Sequence, residues 1–311
     1  MRPLVAALLF AAACGEAPLE AVVVSFNTGT TEGLAHDSGP DDGYSKDDAI
    51  RSDTYYGDGL AWPPAIEAAR VFLAEVQPDV VGIQEIFYSP DCATIPSEAH
   101  DPFVCTTWSV GDPTVANVIL GAGYRVACHR GKLDKCVAVK KSFASIAGCD
   151  EDFCAEALAG EPSPDCGSGA RVGLAELTVG DRRLDVWHVH GTSGFSDEDV
   201  GCRTAQFEQI FDGVDPESPT IVLGDLNTDP FRLFDGDDSA AVFRRRATAG
   251  DFSFHSSEGD PTYAGLFQID HVLSTFGEGG CWSAGVTEGR PRVIEATYFD
   301  HHPLVCSIAE R

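Results

Sequence analysis

The sequence predicts a layered α/β sandwich. Short apolar runs of strand length recur along the chain, and few stretches have helical periodicity. Asp, Asn, Glu and His stand repeatedly where the strand-like runs end. Apolar strands need covering on their faces, which layers sheets with helices. Polar residues at strand ends are where a rigid sheet can hold chemistry.

In chain order, the first strand is Ala21-Val22-Val23-Val24-Ser25-Phe26, an apolar run suited to burial. Residues 28–62, rich in Gly, Asp and Tyr, read as a long surface loop. Its Asp37, Asp41, Asp42, Asp47 and Asp48 do not follow EF-hand spacing, so a solvated acidic loop is preferred to a calcium site. Pro63-Pro64 opens a helix whose apolar face is Ile66, Ala69, Val71, Phe72, Leu73 and Val76, and Pro78 ends it. Asp79 to Ile83 is the next strand, followed by a cysteine-bearing excursion over 89–112. Further strands are Cys136–Val139, Gly173–Leu177 and Leu184–Val189, with a Cys/Gly/Pro/Asp insertion over 148–169. Arg203 to Phe211 reads as a helix. Thr220–Leu223, Phe267–Leu273 and Leu304–Ile308 are strand-like.

The 311 residues are 43% hydrophobic and 23% charged, the composition of a folded chain rather than a disordered one. They suit one large domain or two small ones. The net charge of −28, from 21 Lys+Arg against 49 Asp+Glu, gives no attraction to polyanions by net field. A phosphate would need a local cationic patch or a metal to reverse the sign.

The start of the chain has the pattern of an export signal. Arg2 precedes the apolar run Leu4–Phe10, and Ala11-Ala12-Ala13-Cys14 offers a small-residue cleavage site. The run is too short to span a bilayer, and no later segment reaches the roughly 20 apolar residues that a spanning helix needs. Cys14 resembles the lipid acceptor of a bacterial lipoprotein box, although Ala11 stands where Leu is usual. The expected division is therefore 1–13 signal, 14–20 tether and 21–311 domain, in an exported protein that is lipid-anchored to the cell envelope or secreted. Ten cysteines remain beyond Cys14, seven of them between Cys92 and Cys166. An even number in an exported chain reads as disulfides. The absence of any CxxC pair argues against a zinc cluster. The pairing is left open.

Hydrolysis of a phosphoester needs an oriented water, a stabilised leaving oxygen and a hard cation against the anionic charge. The chain offers suitable residues at its strand ends. Ser25-Phe26-Asn27, Val80-Val81-Gly82-Ile83-Gln84-Glu85, Trp187-His188-Val189-His190 and Leu223-Gly224-Asp225-Leu226-Asn227-Thr228-Asp229-Pro230 come in that order. Ile269-Asp270-His271-Val272-Leu273 and Phe299-Asp300-His301-His302-Pro303-Leu304 follow.

In content and order these stretches resemble the motifs of the endonuclease/exonuclease/phosphatase superfamily, to which DNase I belongs, and the resemblance spans residues 21–308. It implies a four-layered α/β sandwich: two packed mixed β-sheets flanked by helices. It also implies a divalent-metal-dependent phosphoester hydrolase using Mg2+, or Mn2+ or Ca2+. Asn27, Glu85 and Asp300 would surround the metal. Asp225 and Asn227 would hold the attacking water, the phosphate or a second metal. His301, oriented by Asp270, would act as acid/base, and His190 would serve the leaving group or a phosphate oxygen. Two histidines with near-neutral pKa values would suit such proton handling. The third motif departs from the family's usual form, so His188 and His190 both stand as candidates, with strand-end alignment favouring His190.

A phosphodiester is the expected substrate, nucleic acid before phospholipid. Small-phosphate phosphatases come next and a non-catalytic binding protein last. Phe103, Trp108, Phe252 and Phe254 would be the membrane-contacting side chains of a phospholipid enzyme. Membrane contact is otherwise expected through a lipidated Cys14, and no protein partner is expected. Arg244-Arg245-Arg246 and Lys140-Lys141 read equally as phosphate patches or solvated faces. The tryptophans read as anchors, and His188, His271 and His302 as structural. His36, His100, His129 and His255 default to the surface.

Overall fold

The computed structural model describes residues 18–30, 43–233, 235–256, 260–293 and 298–310. Cys14, the export segment, most of the tether, His36, Asp37, Asp41 and Asp42 lie outside them.

The strands are β1 (Glu20–Asn27), β2 (Val80–Gln84), β3 (Tyr124–His129), β4 (Lys132–Lys140), β5 (Ser145–Ile146), β6 (Phe153–Leu158) and β7 (Val172–Val179). They continue as β8 (Arg182–His190), β9 (Thr220–Asp225), β10 (Ser253–Phe254), β11 (Asp270–Ser274), β12 (Glu278–Ser283) and β13 (Leu304–Ala309). The helices are α1 (Lys46–Tyr56), α2 (Pro63–Val76), α3 (Val115–Leu120), α4 (Asp197–Gly213) and α5 (Asp238–Ala249).

One sheet has the order β12-β13-β1-β2-β4-β3-β6, and the other β10-β11-β9-β8-β7-β5. Both are mixed: β1/β2 and β8/β9 run parallel, while β1/β13 and β9/β11 run antiparallel. Strand alternation sorts the apolar side chains into layers. Val23, Val80, Val137 and Val139 of the first sheet meet Val186, Ile221, Leu223 and Val272 of the second in the core between them. Their neighbours Val24, Phe26, Val81 and Ile83 face outward, under Phe72 of α2 and Ile119 of α3. Trp187, Val189 and Val222 face the other way, under Phe207 of α4 and Phe243 of α5. The result is four layers: helices, sheet, sheet, helices. Gly82 lets the sheets approach closely, since a Cβ there would lie 2.5 Å from Leu223 Cδ1 and 2.9 Å from His188 Cδ2.

The structure departs from the expected elements in several places. The supposed loop 28–62 contains α1, opened by a reciprocal Ser45/Asp48 cap and closed at Gly57 in a left-handed conformation. Asp48 serves that cap and pairs with Arg51 at 3.2 Å. The insertion over 148–169 holds β6. Strands β3 and β12 and helix α3 were also not anticipated. All ten cysteines beyond Cys14 are paired: Cys92–Cys105, Cys128–Cys136, Cys149–Cys154, Cys166–Cys202 and Cys281–Cys306. No helix among the described residues is long and apolar enough to cross a membrane.

Candidate active site

The site lies at one mouth of the layer between the sheets. Asn27 ends β1, with Gln84 opposite it at the end of parallel β2. His190 ends β8 opposite Asp225, which ends parallel β9. Asp270 begins antiparallel β11 and is also paired with Asp225. Asp300 and His301 precede β13, whose Leu304 pairs with Ser25. Strand direction therefore brings the ends of β1, β2, β8 and β9 and the starts of β11 and β13 to the same edge. Alternation aims their side chains inward: Val23 and Ile221 belong to the inter-sheet core, and Asn27 and Asp225 follow them at even spacing.

The contacts are close. Asn27 Nδ2 donates to Glu85 Oε1 and Asp225 Oδ2, both at 3.1 Å, while its Oδ1 accepts from Gly29 N at 3.0 Å. Asn27 thus bridges two carboxylates through its nitrogen, and its oxygen is turned to the backbone. His190 Nε2 lies 3.5 Å from Glu85 Oε1 and 3.6 Å from Asp225 Oδ2. His301 Nε2 lies 3.7 Å from Asp225 Oδ2, and its Nδ1 bonds Asp270 Oδ2 at 2.8 Å. The Tyr263 ring covers His301 at 4.9 Å between centroids. Asn227 donates from its backbone N to Asp225 Oδ1 at 2.7 Å and from Nδ2 to Gly191 O at 2.9 Å.

Glu85 and Asn227 both have left-handed backbones, with φ of 56° and 51°. Asn tolerates this conformation locally; Glu does so at a cost of about 1–3 kcal/mol, met by surrounding structure. Here Leu60 N and Thr28 Oγ1 donate to Glu85 O at 2.9 and 3.1 Å, which pins the turn.

Burial separates the titrating groups. It pushes the Glu85 carboxyl up to about 8 against the hydrogen bond from Asn27, with Asp300 and Asp225 adding repulsion. Burial also pushes Asp225 up to about 7, opposed by His301. Burial works to lower His301, yet the carboxylates of Asp270, Asp225 and Asp300 override it and raise the imidazole to about 10. His190 goes the other way: burial, then Lys135 and His301, hold it well below the ordinary histidine value despite the nearby carboxylates. The two histidines are thus shifted in opposite directions, His301 up and His190 down.

The donor chemistry at this mouth fits a hard divalent cation. Among the described residues, no three or more His, Cys, Asp or Glu side chains form a ready metal cage. Mg2+, however, is commonly held by one or two carboxylates with water and substrate oxygens completing its shell. Glu85 and Asp300 are carboxylates raised by burial, and Asp225 adds repulsion at Glu85. A cation would relieve both effects. Gly29 belongs to this arrangement and was missed in the sequence: a Cβ there would fall 1.7 Å from Glu85 Oε2.

The other candidates fall elsewhere. His188 is buried between the sheets, with Nε2 2.6 Å from Gln84 Nε2 and Nδ1 2.9 Å from His129 Nε2. His129 and His255 are buried, against the surface placement expected for them. His271 bonds Ser256 and Gln268 O. The side chain of His302 lies beside Gly285. Phe103 and Phe252 are buried, and Phe254 packs on Phe231 with centroids 4.9 Å apart, so none of these three is an exposed membrane contact. Arg246 pairs with Asp212, Arg244 lies over Phe231, and Lys141 pairs with Asp152 at 2.6 Å.

A cavity of about 540 Å³ adjoins the site through Gly59 and Ile86, which flank the Glu85 turn; Tyr55, Phe87, Tyr88 and Lys132 help line it.

No family model and no curated protein matches the chain. Solved structures do. Truncated TDP2 from Caenorhabditis elegans is 13% identical over 93% of this chain and 97% of its own, with a TM-score of 0.52. An endonuclease/exonuclease/phosphatase family protein from Bacteroides thetaiotaomicron is 13% identical over 95% and 100%, also at 0.52. The catalytic domain of human Nocturnin, with a bound sulfate anion, is 12% identical over 93% of each chain at 0.52. The likeness is one of architecture, with the same two mixed sheets between helices, and this chain has the DNase I-like fold of the endonuclease/exonuclease/phosphatase proteins.

Proposed function

We propose that the protein is a divalent-metal-dependent phosphoester hydrolase acting on phosphodiesters, with nucleic acid the preferred substrate class. The observation that carries this reading is the meeting of Glu85, Asp225, His190 and the Asp270–His301 pair at one mouth of the layer between the two sheets. That one protein of the same fold holds a sulfate anion supports an anionic ligand for this architecture.

A cation held by Glu85 and Asp300 would supply charge neutralisation of the phosphate. Asn27 steadies Glu85 and Asp225 relative to each other. Asp225, with its pKa near 7, is suited to accept a proton from an attacking water that Asn227 helps to orient. His301, held protonated by Asp270, offers Nε2–H to a phosphate oxygen beside Asp225. His190, neutral in the free protein, presents Nε2 to the same space for the leaving oxygen.

The test is turnover of plasmid DNA, RNA, sphingomyelin, inositol phosphates and bis(4-nitrophenyl) phosphate with Mg2+, Mn2+ or Ca2+, and again with EDTA. Glu85→Ala serves as a folded control. Metal-dependent diester cleavage lost in that variant supports the reading; no turnover of any member of the panel overturns it.

Phospholipid is the second substrate reading, because exposed apolar side chains extend from site segments. Phe195, five residues beyond His190, is 79% exposed, and Leu266 in the turn begun by Tyr263 is 68% exposed. Sphingomyelin cleavage on vesicles, weakened by Phe195→Ser with Leu266→Ser, would favour it. The five disulfides support export to an oxidising compartment. Anchoring through Cys14 is checked by mass spectrometry of the mature N-terminus.

A further inference from the structure

Three cations stand beside the acidic site without joining it. Lys135, in β4, is 6% exposed, and its ammonium donates to Gly169 O at 3.0 Å. Arg171, just before β7, is 8% exposed and donates to the carbonyls of Ser168, at 3.1 Å, and Arg130. Lys132 begins β4. Among the described residues none of these three pairs with a carboxylate, whereas Arg182, Arg203, Arg232 and Arg246 each do.

The two lysines converge: their Nζ atoms lie 3.9 and 4.0 Å from the point where a Cβ on Gly169 would sit. Arg171 Nη1 lies 3.8 Å from where a Cβ would sit on Gly131, the residue before Lys132. Strand register places them at the site: Lys135 stands one residue beyond the Cys136–Ile83 pair, level with Gln84, and Arg171 one residue before the Val172–Val189 pair, level with His190. In a chain of net charge −28, a buried ammonium bonded only to a carbonyl is out of keeping with its surroundings.

We infer that Lys135, supported by Lys132 and Arg171, is the anion-binding wall of the site and takes a phosphate oxygen of the substrate beside Glu85 and His190. This rests on the hydrolase reading for its substrate, but the binding it describes can be measured alone. A structural tie for Gly169, or a counter-charge for Glu85, are the competing roles, and they predict different outcomes. A tie needs a donor and not a charge. A counter-charge, once removed, changes the metal affinity and leaves the anion indifferent.

The experiment titrates inorganic phosphate, and separately Mg2+, into the full chain by calorimetry. The variants are Lys135→Gln, which keeps a donor without the charge, Lys135→Arg, which keeps the charge, and Lys132→Gln. Lys135→Gln should weaken phosphate binding by about tenfold or more, and Lys135→Arg by about threefold or less. Lys132→Gln should fall between them. Mg2+ binding in Lys135→Gln should be unchanged or tighter, because a positive charge has left its neighbourhood. Phosphate binding at wild-type strength by folded Lys135→Gln overturns the wall, as does a wild-type protein that binds no phosphate with or without Mg2+. Equal loss in the Gln and Arg variants together with lost Mg2+ binding marks a need for the shape of the lysine rather than its charge, and also overturns it. If phosphate binding depends on Lys135 but no diester turns over, the wall stands and the hydrolase reading falls. If diesters turn over in Lys135→Gln with wild-type KM, the reverse holds.

Discussion

His301 Nδ1 sits 2.8 Å from Asp270 Oδ2, with both side chains buried, Asp270 at the start of β11 and His301 three residues ahead of β13. The carboxylate fixes which ring nitrogen faces the site and keeps the imidazole protonated to about 10. His301→Ala should lower kcat by about 10²–10³, the usual loss for a donor aimed at developing negative charge. Asp270→Asn should be impaired in the same direction. The two losses should not add, because the residues act as one unit. Steady-state rates of both single variants and the double variant decide this; additive losses would separate the pair.

Gly29 has no room for a side chain. A methyl group would meet the Glu85 carboxylate, not a movable surface group. Glu85 is already held in a left-handed turn, so it cannot yield without losing its bond to Asn27. Gly29→Ala should therefore weaken Mg2+ binding by about tenfold, comparable to the loss of a residue that positions a ligand. Circular dichroism should show the fold kept. Unchanged calorimetric Mg2+ affinity would mean that Glu85 is not held where the metal binds.

Metal binding should be linked to pH through Glu85. Its folded pKa, about 8, is raised above the ordinary carboxylate value. Without a cation the folded state holds this proton more tightly than the unfolded state. Ionised Glu85 is then a destabilising charge whose cost grows as pH rises from about 4.5 to about 8. A divalent cation removes that cost. The rise in Tm on adding Mg2+ should increase from pH 6 to pH 8.5, and EDTA should reverse it. A Tm increment that is flat over this range would detach Glu85 from the metal.

The parts of the site that could be read in advance are those carried by local pattern. Asn27, Glu85, His190 and Asp225 end apolar runs, and that combination is visible without a structure. Helix α1 was hidden by weak amphipathicity, although the Ser45–Asp48 cap was written in the chain. Strand β12 was hidden by Gly279-Gly280. The disulfides needed register: Cys128 faces Cys136 across β3/β4, and Cys281 faces Cys306 across β12/β13. Lys135 lies one residue outside the expected strand Cys136–Val139 and belongs to no motif, and the carbonyl it meets, Gly169 O, comes 34 residues later in the chain.

His188 and His190 are two residues apart and face the same layer, yet their surroundings differ. His188 is enclosed between Gln84 and His129, under Gly82, and burial holds it neutral down to about 3. His190 lies at the open end, against Glu85 and Asp225. His188→Ala should destabilise the fold by roughly 2–4 kcal/mol, since it leaves Gln84 and His129 without a partner and opens a cavity. It should slow turnover by about tenfold or less, through Gln84 next to Glu85. His190→Ala should leave Tm nearly unchanged and cut kcat by about 10²–10⁴. The pH dependence gives an independent check. A histidine whose folded pKa lies below its unfolded 6.5 stabilises above 6.5, and that stability is lost as pH falls from 6.5 toward 3. Replacing His188 by Asn should flatten this acid limb in urea unfolding, whatever it does to the rate. If His188→Ala were crippled in turnover at unchanged stability, while His190→Ala stayed active, the two residues would have to exchange roles.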